Sequence, residues 1–236
     1  MDCAIDVFVK DIMVKLPLYV SIAVIIAYWI YQLLNSNHVM PSEFSQLAKQ
    51  IVRVKIIHLT AILLLLRFEG AGLRELGFTA KRWPRQLLMG LLFGTVMFFL
   101  FNASLNSVMG SLFPKPPASG VPLLSYFSDI GNLYTWLLIG IFGGGLVEEL
   151  MRVFVLTRFQ KAFGSTGLYF ALVSSSFIFG LGHLYQGIGS AITTGISGLI
   201  LGIIFIRRRS AIELIITHAV SDVLSILAAY QLAGHG

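Results

Sequence analysis

Charge is what this chain has least of. Only 12% of its 236 residues are charged and 56% are hydrophobic, whereas soluble domains carry about 25% charged residues. The mean hydropathy is +0.84. These values exclude an ordinary soluble domain and predict a polytopic integral membrane protein.

Cysteine and proline are also scarce, and each scarcity is informative. The single cysteine, Cys3, excludes an internal disulfide and a multi-cysteine metal site. Four of the seven prolines lie in residues 113–133, which predicts an extended, turn-rich loop there. Mixed charges before residue 16 are atypical of a cleavable signal peptide, so the first apolar run is expected to be a retained anchor.

The long apolar runs predict an all-α fold, a membrane helix bundle of about seven transmembrane helices. A spanning helix needs roughly 20 mostly apolar residues. The predicted spans are 16–34, 50–66, 86–112, 134–161, 166–185, 187–206 and 210–232. The second is the weakest, because Arg53, Lys55 and His58 interrupt it. We expect one integral domain, with N-terminal helices and an amphipathic loop (67–85) in 1–133 and the late transmembrane helices in 134–236.

The basic residues predict the orientation. With the N-terminus in the cytoplasm, 12 lysines and arginines fall inside and 4, including Lys55, fall outside. Cytoplasmic loops carry the excess of positive charge, so the prediction is N-terminus in and C-terminus out. The net charge of +6 then indicates contact with the anionic lipid of a bilayer, not nucleic acid.

Small residues mark one face of the sixth span. Gly187, Ala191, Gly195, Gly198 and Gly202 recur every three or four residues. Such a face lets a second helix backbone approach closely. We therefore expect it to serve helix packing, and the glycines at 143–145 either do the same or form a hinge.

Ionisable residues inside the late spans are the strongest functional signal. Three lie together, namely Glu148, Glu149 and Arg152, and three more lie further on, namely His183, His218 and Asp222. His218 and Asp222 are four residues apart, so they share a helix face. Charges in the bilayer are costly unless paired and mark functional sites by default. We predict that all six share one polar site.

Two chemistries fit such a site. A carboxylate can act as a general base on water while histidines donate to the developing oxyanion, which would hydrolyse a peptide bond within the membrane. Histidines with carboxylates can also bind a divalent metal such as zinc. A HExxH helix is absent from the sequence, so a standard zincin motif is not present. Both routes stay open.

The order of these motifs resembles a known family. A glutamate pair with an arginine, then Phe179-x-x-x-His183, then His218-x-x-x-Asp222 is similar to the CAAX-protease and bacteriocin-processing family, the glutamic-type intramembrane endopeptidases. The similarity spans about residues 134–232. It implies a four-helix catalytic core with a cavity reaching the site.

The resemblance also implies a role for each residue. Glu148 would activate water, supported by Glu149 and Arg152, and His183 would assist the water or the oxyanion. His218 and Asp222 would complete the pocket, and Phe179 would pack within its motif.

The spacing from glutamate to arginine departs from the family pattern Glu-Glu-x-x-x-Arg by one residue. Anchoring on the glutamates keeps Glu148 as base and pairs Glu149 with Arg152; a local change of helix winding can absorb the difference. Anchoring on the arginine puts Val147 at the catalytic position and pairs Glu148 with Arg152. Both pair spacings are allowed on a helix, and we favour the first.

The leading hypothesis is an intramembrane endopeptidase that processes or sorts a membrane-anchored protein or peptide near its C-terminus or anchor. The small, basic chain favours a prokaryotic inner membrane. The alternatives are a non-proteolytic scaffold or immunity relative and an ion-coupled transporter, although no internal repeat supports the latter.

Overall fold

Helices make up the computed structural model, which describes residues 2–36, 41, 43–113 and 126–234, with no strand among them. The helices are α1 (Asp2–Leu34), α2 (Phe44–Phe68), α3 (Trp83–Phe98), α4 (Asn106–Leu112), α5 (Ile130–Leu138), α6 (Glu149–Leu181), α7 (Ile188–Arg208) and α8 (Ala211–Gly234). Short 3₁₀ turns cover Leu73–Leu76 and Leu184–Gln186, and π-helical segments cover Phe99–Leu105 and Ile139–Glu148. The all-α prediction is confirmed for this part of the chain.

Four segments in the described part of the chain are long and apolar enough to cross a membrane. They are Lys15–Leu34, Trp83–Leu112, Ile188–Arg208 and Ala211–Gly234, and each coincides with a predicted span. The other three predicted spans are also helical, but they do not meet the same criteria of length and composition. The count of seven transmembrane helices therefore stays a prediction.

Gly164 divides α6 into two arms. Its backbone has φ 63° and ψ −147°, which is not helical. A Cβ at this position would meet no atom within 4 Å, so backbone conformation rather than space favours glycine here. The predicted break between residues 161 and 166 falls at this residue.

The predicted loop over 113–133 ends earlier than expected. α5 begins at Ile130, because the Asp129 side chain accepts a hydrogen bond from the backbone N–H of Asn132 at 3.0 Å and caps the helix. The four prolines on which the loop prediction rested, at 114–122, lie outside the described residues.

The core forms where other helices pack on α6. Trp29 of α1 stacks on Phe159 of α6 with ring centroids 5.4 Å apart. On the α7 side, a Cβ at Gly198 would lie 3.0 Å from the Phe179 ring, and one at Gly202 would lie 2.3 Å from Leu172. The small-residue face of α7 thus serves close helix packing, as predicted. Gly187 is an exception, because it precedes α7 and has φ 105°.

A second set of buried charges ties α6 to the segment that links α2 with α3. The guanidinium of Arg158 is 1% exposed and lies 2.9 Å from Glu69 and 3.1 Å from Glu75. Ser21 of α1 donates to Glu69 at 2.5 Å. Arg158, which was counted with the cytoplasmic charges, is therefore buried and paired inside the bundle.

Removing Arg158 alone should destabilise the fold strongly. Arg158→Met leaves the Glu69 carboxylate, only 2% exposed, without its counter-charge, and breaking a buried ion pair on one side costs roughly 3–5 kcal/mol. Thermal unfolding in detergent measures the loss. Lys161→Met is the control, because that ammonium is half exposed and its loss should cost about 1 kcal/mol or less.

The double variant Glu69→Gln/Arg158→Met should be more stable than Arg158→Met, because no unpaired charge remains. Equal melting temperatures for the single and double variants would contradict the ion-pair account.

Glu75 should give stability a measurable acid dependence. Partial burial raises the pKa of its carboxyl, but hydrogen bonding and charge from Arg158 and Lys161 outweigh this, so its pKa lies below the ordinary value. A pKa that is lowered in the folded state stabilises the protein at pH values above the ordinary pKa of glutamate. This stabilisation disappears as the pH falls through the lowered pKa. The melting temperature of wild type minus that of Glu75→Gln should shrink between about pH 6 and pH 3. A difference that does not vary with pH would rule this out.

Candidate active site

A π-helical segment leads directly into the glutamate pair. Ile139–Glu148 is wound as a π-helix, and regular α-helix resumes at Glu149. Such segments are frequent at functional sites. The change of winding falls between Glu148 and Glu149, so the spacing from Glu149 to Arg152 remains that of an ordinary α-helix.

Glu149 is a buried bridge between two helices. One carboxylate oxygen accepts a hydrogen bond from Arg152 Nε at 2.9 Å, and the other lies 2.7 Å from His218 Nδ1 on α8. The side chain is 0% exposed. Arg152 also donates from Nη1 to the carbonyl of Gly198 on α7 at 3.0 Å. The structure thus forms the pair expected from the glutamate-anchored alignment, and both oxygens of Glu149 are occupied.

Glu148 has a different environment. Its Oε1 accepts a hydrogen bond from the ammonium of Lys55 on α2. Its Oε2 lies 3.9 Å from His218 Nε2, too far for a hydrogen bond. Within the described residues, nothing donates to this oxygen, and 15% of the side chain is exposed. One oxygen of Glu148 is therefore free to bind a water molecule.

Asp222 reaches the same place from α8. Its Oδ1 lies 3.5 Å from His218 Nε2, one turn earlier on the helix. Its Oδ2 occupies the space beside Gly144, where a Cβ would lie only 2.2 Å away. Glycine at 144 thus allows the carboxylate to lie against the π-helical backbone, which supports the packing interpretation of these glycines.

His183 was predicted to lie within the fifth span, 166–185, but it lies in a turn after α6. α6 ends at Leu181, and two glycines, Gly182 and Gly187, flank the turn; glycine has poor helix propensity. The Nδ1 of His183 lies 2.9 Å from the carbonyl of Phe179, which fits a ring that donates from Nδ1 and leaves Nε2 available. The imidazole interacts electrostatically with Glu148.

Phe179 packs among these groups as its motif implied. The guanidinium of Arg152 lies over its ring at 4.7 Å from the centroid. The rings of His183 and His218 meet it edge-on, with centroids 5.0 and 6.3 Å away. The ring therefore holds the arginine and both histidines in fixed relation.

All six predicted site residues therefore meet in one region, and Lys55 joins them. Lys55, which was counted with the basic residues of the outer side, lies within α2 and pairs with Glu148. Its signal in the sequence was its interruption of an otherwise apolar run. The acidic partner of Lys55 could not be identified from the sequence, because Glu148 is 93 residues away along the chain.

The metal alternative does not fit this arrangement. Within the described ranges, no three His, Cys, Asp or Glu side chains are grouped to hold a metal ion. One oxygen of Glu148 and both oxygens of Glu149 already bond to Lys55, Arg152 and His218. A divalent cation would also lie close to the Lys55 ammonium and be repelled by it.

Comparison with known families agrees with the motifs. Residues 130–224 match the family model described as "Type II CAAX prenyl endopeptidase Rce1-like", so the resemblance found in the sequence is confirmed over that segment. The six predicted site residues lie inside it, whereas Lys55 lies outside. No curated protein and no solved structure matches the chain significantly.

Replacing Gly144 should disconnect Asp222 from the site. In Gly144→Ala the new Cβ would lie 2.2 Å from Asp222 Oδ2, so the carboxylate must swing away from His218. The fold should survive, because only the end of one side chain has to move, and cleavage should fall at least tenfold. A cleavage assay with a melting curve measures both.

Gly143→Ala is the matched control. Its Cβ would make ordinary contacts at 3.6 Å with Lys55 and Ile139, so cleavage should stay near wild type. If the two alanine variants lose activity equally, steric displacement of Asp222 is not the cause.

Proposed function

We propose that the chain is an intramembrane endopeptidase that hydrolyses a peptide bond in a membrane-associated protein, with Glu148 activating the water. Its late helices match a protease family, and four helices suit a membrane. The observation that carries the mechanism is that the two glutamates differ in hydrogen bonding and in exposure. Glu149 has both oxygens bonded and no exposed surface, whereas Glu148 keeps one oxygen free.

Glu148 is therefore the base and Glu149 its support. A general base must accept a hydrogen bond from water through an available lone pair. Oε2 of Glu148 has that lone pair and faces His218 Nε2 across 3.9 Å. Glu149 instead fixes His218 and Arg152, so its contribution is to orient the imidazole.

The proposed reaction needs only a water molecule and these side chains. The water oxygen attacks the scissile carbonyl carbon while its proton passes to Glu148 Oε2, and negative charge develops on the carbonyl oxygen. When the C–N bond breaks, the proton on Glu148 goes to the leaving amine and the carboxylate is regenerated. Donors aimed at the oxyanion lower the barrier. Nδ1 of His218 bonds to Glu149, and the Asp222 carboxylate lies 3.5 Å from Nε2. In its doubly protonated form, which these carboxylates favour, His218 can donate from Nε2 to the oxyanion.

His183 and Asp222 shape the remaining walls. With Nδ1 directed to the Phe179 carbonyl, Nε2 of a neutral His183 can accept a hydrogen bond from the water, and Nε2 of a protonated His183 can donate to the carbonyl oxygen. The Asp222 carboxylate lies 3.5 Å from His218 Nε2. Binding of a substrate carbonyl would replace this contact.

The substrate that fits is a membrane-anchored protein or peptide cut near its C-terminus or its anchor. The catalytic groups lie among helices, so the scissile bond must enter the bundle from the bilayer or its surface. We place the protein in a prokaryotic inner membrane with its N-terminus in the cytoplasm and its C-terminus outside. Labelling cysteines introduced singly at Lys81 and at Gly234 in a Cys3→Ser background, from each side of the membrane, tests that orientation.

Replacing the base should abolish cleavage without unfolding the protein. Glu148→Gln should lower the cleavage rate by roughly 10²- to 10⁴-fold, the usual contribution of a general base. His183→Ala and His218→Ala should also lose most activity. The measurement compares membranes that express wild type or variant, with mass spectrometry of new termini on membrane proteins to find the products.

Glu43→Gln is the control, because that carboxylate is exposed and lies before α2. If Glu148→Gln and wild type produce identical termini, the protease proposal is wrong. Partner binding that persists in both without cleavage would favour the scaffold or immunity alternative. Ion uptake in proteoliposomes that depends on Glu148 would favour a transporter.

A further inference from the structure

Lys55 enters the site from a part of the chain that the family match does not include. It lies in the middle of α2, more than 70 residues before residue 130, where the matched segment starts. Its ammonium donates to Oε1 of Glu148, and its side chain is only 20% exposed. Its carbon stem rests against the backbone at Gly143, where a Cβ would lie 3.6 Å from Lys55 Cγ and Cε.

The charge balance of the site depends on this lysine. Three carboxylates meet there, and the described cations that reach them are Lys55 and Arg152, with His218 between. Arg152 is committed to Glu149 and to the carbonyl of Gly198. Glu148 therefore has Lys55 as its own counter-charge, and a buried carboxylate without one is strongly penalised.

The pairing also determines which oxygen of Glu148 is available. A carboxylate on a long side chain can rotate and present either oxygen, and it could close on His218 if nothing held it. With Oε1 bonded to Lys55, Oε2 is left facing His218 at 3.9 Å. That separation is too long for a direct hydrogen bond and leaves Oε2 open to a water molecule.

The helix that carries Lys55 also packs against α1 close to this residue. His58, one turn further along α2, meets the ring of Tyr28 on α1 edge-on at 4.9 Å. Gln32 donates to the Tyr28 hydroxyl at 2.6 Å. The facing polar side chains of α1 and α2 thus join the two helices next to the site.

We propose that Lys55 is a positioning residue of the active site, which anchors Oε1 of Glu148 so that Oε2 faces the water. The N-terminal helices are then part of the catalytic apparatus and not only an anchor. This inference rests on the proposed function, because it assigns Glu148 as the base.

Loss of the ammonium should lower kcat and leave KM nearly unchanged. Lys55→Met leaves an unbranched, uncharged side chain that is one atom shorter, which frees the Glu148 carboxylate, and a misplacement of about 1 Å can cost about 100-fold in rate. Lys49→Met is the matched control: the same substitution on the same helix, at an exposed position, should keep wild-type kcat. A Lys55→Met enzyme with wild-type kcat overturns the proposal.

Restoring the charge chemically separates positioning from general stability. In a Cys3→Ser background, Lys55→Cys provides a single thiol, because Cys3 is the chain's only cysteine. Attaching an aminoethyl group to it returns an ammonium at nearly the length of lysine, whereas a methylthio group adds a neutral cap. The aminoethylated enzyme should recover at least tenfold in kcat and the methylthio enzyme should not. Equal recovery, or none with complete modification and an intact fold, overturns the role.

The ion pair has a test that needs no activity. Melting temperatures of wild type, Lys55→Met, Glu148→Gln and the double variant form a cycle, in which the double variant should lose less than the sum of the single losses. Additive losses overturn the pairing. If the cycle of melting temperatures shows coupling but the wild type cleaves no substrate, the protease proposal fails while the Lys55–Glu148 ion pair stands.

Discussion

The carboxylate of Glu149 is the constraint around which the site is built. It has no exposed surface, and it bonds at once to Arg152 on its own helix and to His218 on α8. A buried charge persists only where partners surround it. Satisfying this one group fixes the register of α8 against α6 and, through the bond from Arg152 to Gly198, the position of α7. The adjacent residue, Glu148, is thereby placed but left partly unsatisfied.

Local backbone choices make that arrangement fit. The π-helical segment ends at Glu148, and its glycines let α8 approach closely enough for Asp222 to lie against Gly144. Two neighbouring carboxylates thus point to different environments, one closed and one partly open. Adjacent residues of identical chemistry can then have different roles, because burial and partners rather than residue type set the role.

Much of the fold and most of the candidate site could be predicted from the sequence. Apolar runs gave the four membrane-competent segments, and the polar residues within the late runs were all found in one region. The partners of Lys55 and Arg158 were not predicted, because a count of charges along the chain cannot show that each has an acidic partner on another segment. His183 was expected inside a span, but the helix ends at Leu181, just before the flanking Gly182.

The sequence by itself determined that the chain is helical and suited to a membrane, and that its costly polar residues must be paired. Periodicity and composition are properties of short windows, and they suffice for those conclusions. Only the tertiary structure decided which residues pair: Glu149 with Arg152 and His218, and Glu148 with Lys55. Partners separated by 69 and 93 residues meet only when the helices pack, and that packing gives the two adjacent glutamates different environments.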